Sequence, residues 1–142
     1  MTFSNEIEIG TPASVVWHLT LDIERWPELT STVTAARRLD EGEVVVGSQA
    51  ELRQPGMPRA VWTVTELEPE RRFVWSTTIA TVTFEGRHEI EPTDTGCRNQ
   101  LFLEMSGPGS SLLTRLSRRR LEQALATENA GFKAAAESSS SS

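Results

Sequence analysis

The chain has 142 residues, 37% of them hydrophobic, which is enough to bury one core but too short for two domains of ordinary size. Its 20 acidic and 14 basic residues give a formal net charge of −6, which argues against a nucleic acid partner because such a partner needs a basic surface. The single cysteine, Cys97, cannot form an internal disulfide, and we find neither a leader-like N-terminus nor an apolar run of about 18 residues. We therefore expect a cytoplasmic protein without stable membrane insertion.

The N-terminal segment predicts one strand followed by two short helices. Residues 3–9 alternate in the period of two that is typical of a half-buried strand. Thr11 is placed to cap a helix that begins at Pro12, where the missing N–H costs nothing. Asp22 is placed to cap a second short helix, which Pro27 limits.

Six further strands are predicted from segments rich in β-branched and aromatic residues. They cover residues 32–39, 48–54, 60–67, 72–79, 82–90 and 98–106. Short turn sequences rich in glycine, proline and aspartate separate most of them, which indicates hairpins and an antiparallel sheet.

A long C-terminal helix is predicted from residue 110 to about residue 136, where leucine, alanine, arginine and glutamate dominate. Its expected apolar stripe contains Leu113, Leu116, Leu121, Leu125 and Phe132. Ser117 and Ala124 are small residues in the middle of this stripe, which fits either a cavity beneath the helix or close packing of the helix on the sheet. We assign residues 1–137 to one domain and residues 138–142 to a disordered serine tail.

This order of elements resembles a known superfamily. The residues that carry the resemblance are Pro12, Val16, Trp17, Asp22, Trp26, Pro27, Trp62, Val64, Pro69, Phe73, Trp75 and His88. In this pattern the chain is similar to the START-related polyketide cyclase/dehydrase and lipid transport superfamily (SRPBCC), which includes Bet v 1-like proteins. The resemblance implies an α+β helix-grip fold, in which a curved antiparallel seven-stranded sheet wraps around the long helix. It implies binding of hydrophobic or aromatic small molecules, but the superfamily's chemistry is not shared among members.

Strand parity predicts which side chains face the helix. A short turn at Ala80 and Thr81 pairs Ile79 with Val82 and Phe73 with His88, so that one face of three strands is apolar. The ligand-binding residues predicted from this face and from the tryptophans are Trp26, Trp62, Phe73, Trp75, Phe84, His88, Leu103 and Met105. The facing of Trp62 stays open, because counting from the two neighbouring turns gives different registers unless a bulge lies between them.

His88 is the most informative of these residues, because an imidazole on an apolar face needs a hydrogen-bond partner. It is either an ordinary core histidine, an anchor for a ligand, or a general acid/base. Asn99 or Glu66 are candidates to orient the ligand beside it, and Glu66 is the candidate second acid or base. Gly86, opposite Trp75, marks either a strand bend or a close approach.

Two classes of function fit this sequence best. The first is a carrier of a lipid- or polyketide-like molecule in an internal cavity, and the second is a cyclase/dehydratase-like enzyme that uses His88 as a proton shuttle. A co-chaperone-like interaction domain is a lesser alternative. The run formed by Arg115, Arg118, Arg119 and Arg120 is either a solvated face or a docking patch for an anionic lipid surface or an acidic carrier protein. We expect no cofactor and no metal, and either a monomer or a homodimer.

Overall fold

The computed structural model describes residues 2–140, which form one seven-stranded antiparallel sheet and a long C-terminal helix. The strands are β1 (Thr2–Ile9), β2 (Ala35–Arg38), β3 (Gln49–Arg53), β4 (Ala60–Glu68), β5 (Arg72–Ile79), β6 (Val82–Thr93) and β7 (Gly96–Ser106). Their order in the sheet is β1-β7-β6-β5-β4-β3-β2. The strands from β2 to β7 therefore pair with their neighbours in the sequence, and β1 pairs with β7. The predicted helix-grip fold class is confirmed.

Short helices connect β1 to β2. They are α1 (Ala13–Leu21), one turn of 3-10 helix (Ile23–Arg25) and α2 (Trp26–Leu29). The predicted cap at Thr11 is wrong, because Pro12 itself has the extended backbone of an N-cap and the helix starts one residue later. Asp22 does precede the 3-10 turn, but its side chain forms no capping hydrogen bond and lies 3.7 Å from Arg25 instead.

The long helix, α3, spans Ser110–Ser140. It therefore includes the first three residues of the predicted serine tail, whereas Ser141 and Ser142 lie outside the described residues. Leu113, Leu121, Leu125 and Phe132 pack on the core as expected. Leu116 does not, since 75% of it is exposed. The predicted stripe was too broad: Leu116 lies on the solvent side of the helix.

The register of the central strands matches the prediction from strand parity. Phe73 lies opposite His88, Trp75 opposite Gly86, and a two-residue turn joins Ile79 to Val82. Trp62 is buried on the inner face and lies opposite Ala50. The count forward from the turn at residues 55–58, which pairs Trp62 with Glu51, was therefore wrong by one residue. A bulge does occur in β4, where the register with β5 shifts between Val64 and Glu66.

A polar cluster of three asparagines fixes α3 on β1 and β7. Asn99 Nδ2 donates to Asn129 Oδ1 at 2.8 Å, and Asn129 Nδ2 donates to Asn5 Oδ1 at 2.9 Å. Asn129 Nδ2 also lies 3.1 Å from the Asn99 carbonyl oxygen and 3.2 Å from that of Asn5. Because Asn99 and Asn129 are fully buried, these bonds set the position of the helix over the sheet.

Candidate functional site

A cavity of about 500 Å³ lies between the inner face of the sheet and α3. This volume is within the range of small-molecule pockets in proteins. Seven of the eight predicted site residues line it: Trp26, Trp62, Trp75, Phe84, His88, Leu103 and Met105. Ser117 and Ala124 of α3 also line it, so small side chains in the middle of the helix do leave room beneath it.

The eighth predicted residue, Phe73, is fully buried in the core behind the cavity wall. Its ring makes edge contacts with Trp75 at 5.0 Å and with His88 at 5.5 Å between centroids. Trp26 packs against the same rings and donates its indole N–H to the Leu19 carbonyl oxygen at 3.2 Å. Phe73 therefore supports the residues that line the cavity.

The aromatic wall of the cavity depends on a glycine in β6. A Cβ at Gly86 would lie 3.2 Å from Trp75 Nε1, tighter than ordinary contacts. Without a side chain there, the Trp75 ring can approach the strand, and it packs against Trp62 at a centroid distance of 5.5 Å. Gly86 thus marks a close approach, which was one of its two predicted roles.

The cavity opens beside α3. Its exposed lining residues are Ser31, Pro55, Gly56, Arg120, Gln123 and Thr127. These residues come from the loop between α2 and β2, the loop between β3 and β4, and one side of α3. We call this set the rim. The cavity therefore reaches solvent at the rim.

Two titratable side chains face each other inside the cavity. His88 Nε2 of β6 lies 3.8 Å from Glu128 Oε1 of α3, and the two side chains are 6% and 14% exposed. This separation is too long for a hydrogen bond. His88 Nδ1 and Trp62 Nε1 are also buried without a hydrogen-bond partner among the described residues. The cavity wall thus contains two buried nitrogen atoms that the protein itself does not satisfy.

Burial moves the pKa values of this pair in opposite directions, because in each case it penalises the charged form. It lowers the pKa of His88 to about 4 and raises the pKa of Glu128 to about 7. Near pH 6 both side chains are therefore neutral, and near pH 7 Glu128 is partly ionised. Such a pair can donate hydrogen bonds to a ligand oxygen or accept a proton from a ligand.

Sequence reasoning missed Glu128. One signal was available, because residues 121, 124, 125 and 128 share one side of a helix and Glu128 is the charged residue among them. The two partners that the sequence offered instead lie elsewhere. Glu66 faces solvent and pairs with Arg72 at 2.8 Å, and Asn99 belongs to the asparagine cluster.

Other chemistries find little support in the described part of the chain. Residues 2–140 contain no group of three or more His, Cys, Asp or Glu side chains that could hold a metal ion. They also contain no helix that is both long and apolar enough to cross a membrane. Cys97 is buried, and burial, followed by the charge of Glu8, raises the pKa of its thiol. A raised thiol pKa disfavours the reactive thiolate.

Comparisons with known proteins agree on family and fold. The model of the family described as polyketide cyclase / dehydrase and lipid transport matches residues 1–137. No curated protein matches the chain significantly. The structure of TTHA0849 from Thermus thermophilus has a TM-score of 0.79 and 17% identity, with 99% of each chain covered.

Two further solved structures have names that indicate a function or a source. The di-domain ARO/CYC StfQ from the steffimycin biosynthetic pathway has a TM-score of 0.78 and 15% identity. The match covers 99% of this chain and 52% of StfQ. Ara h 8.0201 has a TM-score of 0.76 and 11% identity, with 97% of this chain and 98% of that one covered. At these identities the structural matches indicate a shared fold and no more.

Proposed function

Since the chain belongs to the polyketide cyclase / dehydrase and lipid transport family, we propose that it binds a small hydrophobic or aromatic molecule between its sheet and α3. The observation that carries this proposal is the cavity of about 500 Å³, which has tryptophan and phenylalanine walls and opens at the rim. A cavity of this size with a few converging polar atoms is the usual form of a ligand site. His88, Glu128 and the indole N–H of Trp62 would orient one polar group of the ligand.

Native mass spectrometry of the freshly purified protein tests this proposal. We expect a stoichiometric adduct, which denaturation releases as a hydrophobic small molecule. Titration with N-phenyl-1-naphthylamine, a neutral dye that fluoresces in apolar surroundings, provides a second readout. An empty protein that also leaves this dye in water would overturn the proposal.

A matched pair of variants locates the site. Ala124→Phe places a large ring in the cavity, whereas Ala126→Phe places the same ring on the exposed side of α3. We expect Ala124→Phe to weaken dye binding at least tenfold, roughly the effect of losing a well-packed pocket contact. Ala126→Phe should bind the dye like the unmodified protein. Equal binding by both variants would mean that the dye lies elsewhere.

A second function is favoured by the proximity of Glu128 to His88, because a cyclase/dehydratase-like enzyme needs two groups that handle protons. Above about pH 7 the Glu128 carboxylate would take a proton from the carbon next to a bound carbonyl group. The C–H electron pair would form a carbon–carbon double bond, and the carbonyl π electrons would move to the oxygen. The N–H of His88 would donate a hydrogen bond to that oxygen as negative charge develops on it.

Hydrogen–deuterium exchange tests this second function without knowledge of the natural substrate. 1-Tetralone, a two-ring aromatic ketone, is incubated with the protein in D₂O and followed by NMR. Enolisation and its reversal replace the hydrogens next to the carbonyl with deuterium. We expect the protein to accelerate this exchange, and Glu128→Gln to return it to the background rate. If Glu128→Gln exchanges as fast as the unmodified protein, the pair acts only in binding.

A further inference from the structure

Arg120 differs from the other arginines of the basic run by its position at the cavity. The run comprises Arg115, Arg118, Arg119 and Arg120 on α3. Of these four, Arg120 alone is among the described residues that line the cavity. The guanidinium of Arg118 lies over the ring of Phe3, at 5.9 Å from its centroid. The rim therefore has a cation of its own.

The guanidinium of Arg120 lies against the loop between β3 and β4. A Cβ at Gly56 would be 3.1 Å from Arg120 Nη1, so the glycine gives room for the guanidinium to approach the backbone. Gly56 also has a φ of +77°, a conformation that glycine adopts without strain. This contact places one end of the guanidinium beside the loop at the rim, while the residue as a whole remains exposed.

The charges around the cavity leave Arg120 without an acidic partner. The charged residues that line the cavity are Arg87, Arg120 and Glu128. Arg87 lies 3.6 Å from the carboxylate of Glu89 and stacks over Phe102 at 4.4 Å. Glu128 faces His88 eight residues along α3 from Arg120, a distance of about 12 Å along the helix axis. Among residues 2–140, no ion pair with an acidic side chain includes Arg120.

Six of the 13 arginines have no carboxylate within 4 Å among residues 2–140, and of these six only Arg120 lines the cavity; the other five are Arg53, Arg71, Arg115, Arg118 and Arg119. Six other arginines away from the cavity each lie within 4 Å of a carboxylate. They are Arg25, Arg37, Arg38, Arg59, Arg72 and Arg98. An unpaired guanidinium over an apolar cavity is suited to bind an oxyanion, because its planar N–H groups match a carboxylate or a similar acid.

We propose that the ligand is an amphipathic anion, whose acidic group binds Arg120 at the rim while its apolar body lies against Trp62, Trp75 and Phe84. This inference rests on the proposed function and names the class of molecule that the same cavity accepts. The spacing of about 12 Å between Arg120 and Glu128 suits a molecule with an acid at one end and a polar group near the other.

Decanoate and decan-1-ol test this inference, because they share a chain and differ in the charged group. Binding is measured by isothermal titration calorimetry and by the fluorescence of the cavity tryptophans. We expect Arg120→Gln to bind decanoate about tenfold more weakly than the unmodified protein, the typical effect of losing a charge-assisted hydrogen bond. Its affinity for decan-1-ol should stay within about twofold. Arg119→Gln, an exposed neighbour that does not line the cavity, is the matched control and should bind both probes normally.

Salt provides an independent readout. Raising the ionic strength from about 0.01 M to about 1 M shortens the Debye length from about 30 Å to about 3 Å. We expect decanoate binding to weaken over this range in the unmodified protein and much less in Arg120→Gln. Binding of decan-1-ol should not weaken with salt in either protein.

The outcomes separate this inference from the proposed function. If Arg120→Gln binds decanoate normally while decan-1-ol enters the cavity, the cavity binds neutral ligands and the inference is wrong. If Arg119→Gln weakens decanoate binding as much as Arg120→Gln does, the basic run attracts anions in general and Arg120 is not a specific site. If neither probe binds the unmodified protein, both the inference and the proposed function lose their support.

Discussion

Glu128 and Asn129 are neighbours on α3, and both are polar residues inside the protein, yet their surroundings are opposite. Asn129 is fully buried, and its amide group accepts a hydrogen bond from Asn99 and donates to Asn5 and to backbone carbonyls. The side chain of Glu128 accepts no hydrogen bond from the described part of the chain, and it lies 3.8 Å from His88. One residue completes a network within the protein, whereas the other faces a cavity with its polar atoms available.

Under the proposed function, this difference separates a structural role from a binding role. A buried polar group without a partner costs free energy, and a protein bears that cost where a ligand later supplies the partner. In the asparagine cluster, both polar atoms of the Asn129 side chain and the Asn99 Nδ2 have partners within the protein, and only Asn99 Oδ1 is left without one among the described residues. Under the proposed function, the unsatisfied nitrogen atoms of His88 and Trp62 would have partners only when a bound molecule supplies them.

The largest expected effect is the loss of stability in Asn129→Ala. The substitution leaves the buried amide of Asn99 without its partner and creates a small void between α3 and the sheet. We expect a loss of about 3 kcal/mol in the free energy of unfolding, measured by urea denaturation. Glu122→Ala, on the exposed side of the same helix, should change this energy by less than about 0.5 kcal/mol. A loss below about 1 kcal/mol in Asn129→Ala would mean that the cluster contributes little to stability.

Glu128→Gln should stabilise the protein, and the gain in the free energy of unfolding should grow with pH. Between its ordinary pKa of 4.5 and its folded-state pKa of about 7, Glu128 holds a proton in the folded protein that the unfolded chain has released. Its contribution to stability is therefore lost as pH rises through this window. Glutamine does not titrate, so the free energy of unfolding of the variant should exceed that of the unmodified protein by up to about 3 kcal/mol at about pH 8.

The measurement for Glu128→Gln is urea denaturation at a series of pH values, with each stability taken as the difference from the unmodified protein. The background of other carboxylates cancels in that difference. A difference that does not change between pH 4.5 and 7 would show that Glu128 is not held neutral in the folded state.

His88→Gln should produce a smaller effect in the acidic range. The folded protein excludes a proton from His88 down to about pH 4, whereas the unfolded chain binds it below 6.5. The unmodified protein therefore loses stability as pH falls through this window, and the variant does not. Because His88→Gln also loses ring contacts with Phe73 and Phe132, we expect a net gain of only about 1–2 kcal/mol at pH 4.

The two variants are most informative together. Between pH 4.5 and 6.5 the contributions of His88 and Glu128 change in opposite directions, so the two should largely cancel in the pH profile of the unmodified protein. In Glu128→Gln the free energy of unfolding should rise with pH over this range, and in His88→Gln it should fall. Parallel profiles in both variants would contradict the assignment of separate, neutral groups.

Much of the sheet could be predicted from the sequence because short turns between neighbouring strands determine how those strands pair. The two-residue turn at Ala80 and Thr81 determines the register of β5 and β6, and alternation then assigns the faces of Phe73, Phe84 and His88. The position of a long helix over a sheet is not local in this sense. It depends on side chains distant in the chain, here the contacts of Asn129 with Asn5 and Asn99.

That dependence explains the errors at the site. Without the rotation of α3, the sequence could not place Glu128 inside and Leu116 outside, or separate Arg120 from the other arginines of its run. The β4 bulge likewise decides that Glu66 faces solvent. The residues on the strands of the candidate site were largely predictable, and the residues that α3 contributes were not.

The smallest expected effect, and the finest test of the comparison, is Trp62→Phe. The variant keeps an aromatic wall but removes an indole N–H that is buried without a partner in the described residues. Removing an unsatisfied donor costs no hydrogen bond, so stability should change by less than about 1 kcal/mol. We expect binding of 1-tetralone, which has a carbonyl oxygen, to weaken about threefold to fivefold, the value of one neutral hydrogen bond. Tetralin, the same ring system without the oxygen, should bind both proteins alike in a fluorescence titration. If the variant binds both 1-tetralone and tetralin more weakly, Trp62 acts through its shape alone. The unsatisfied donors of the cavity would then not be the groups that orient a ligand.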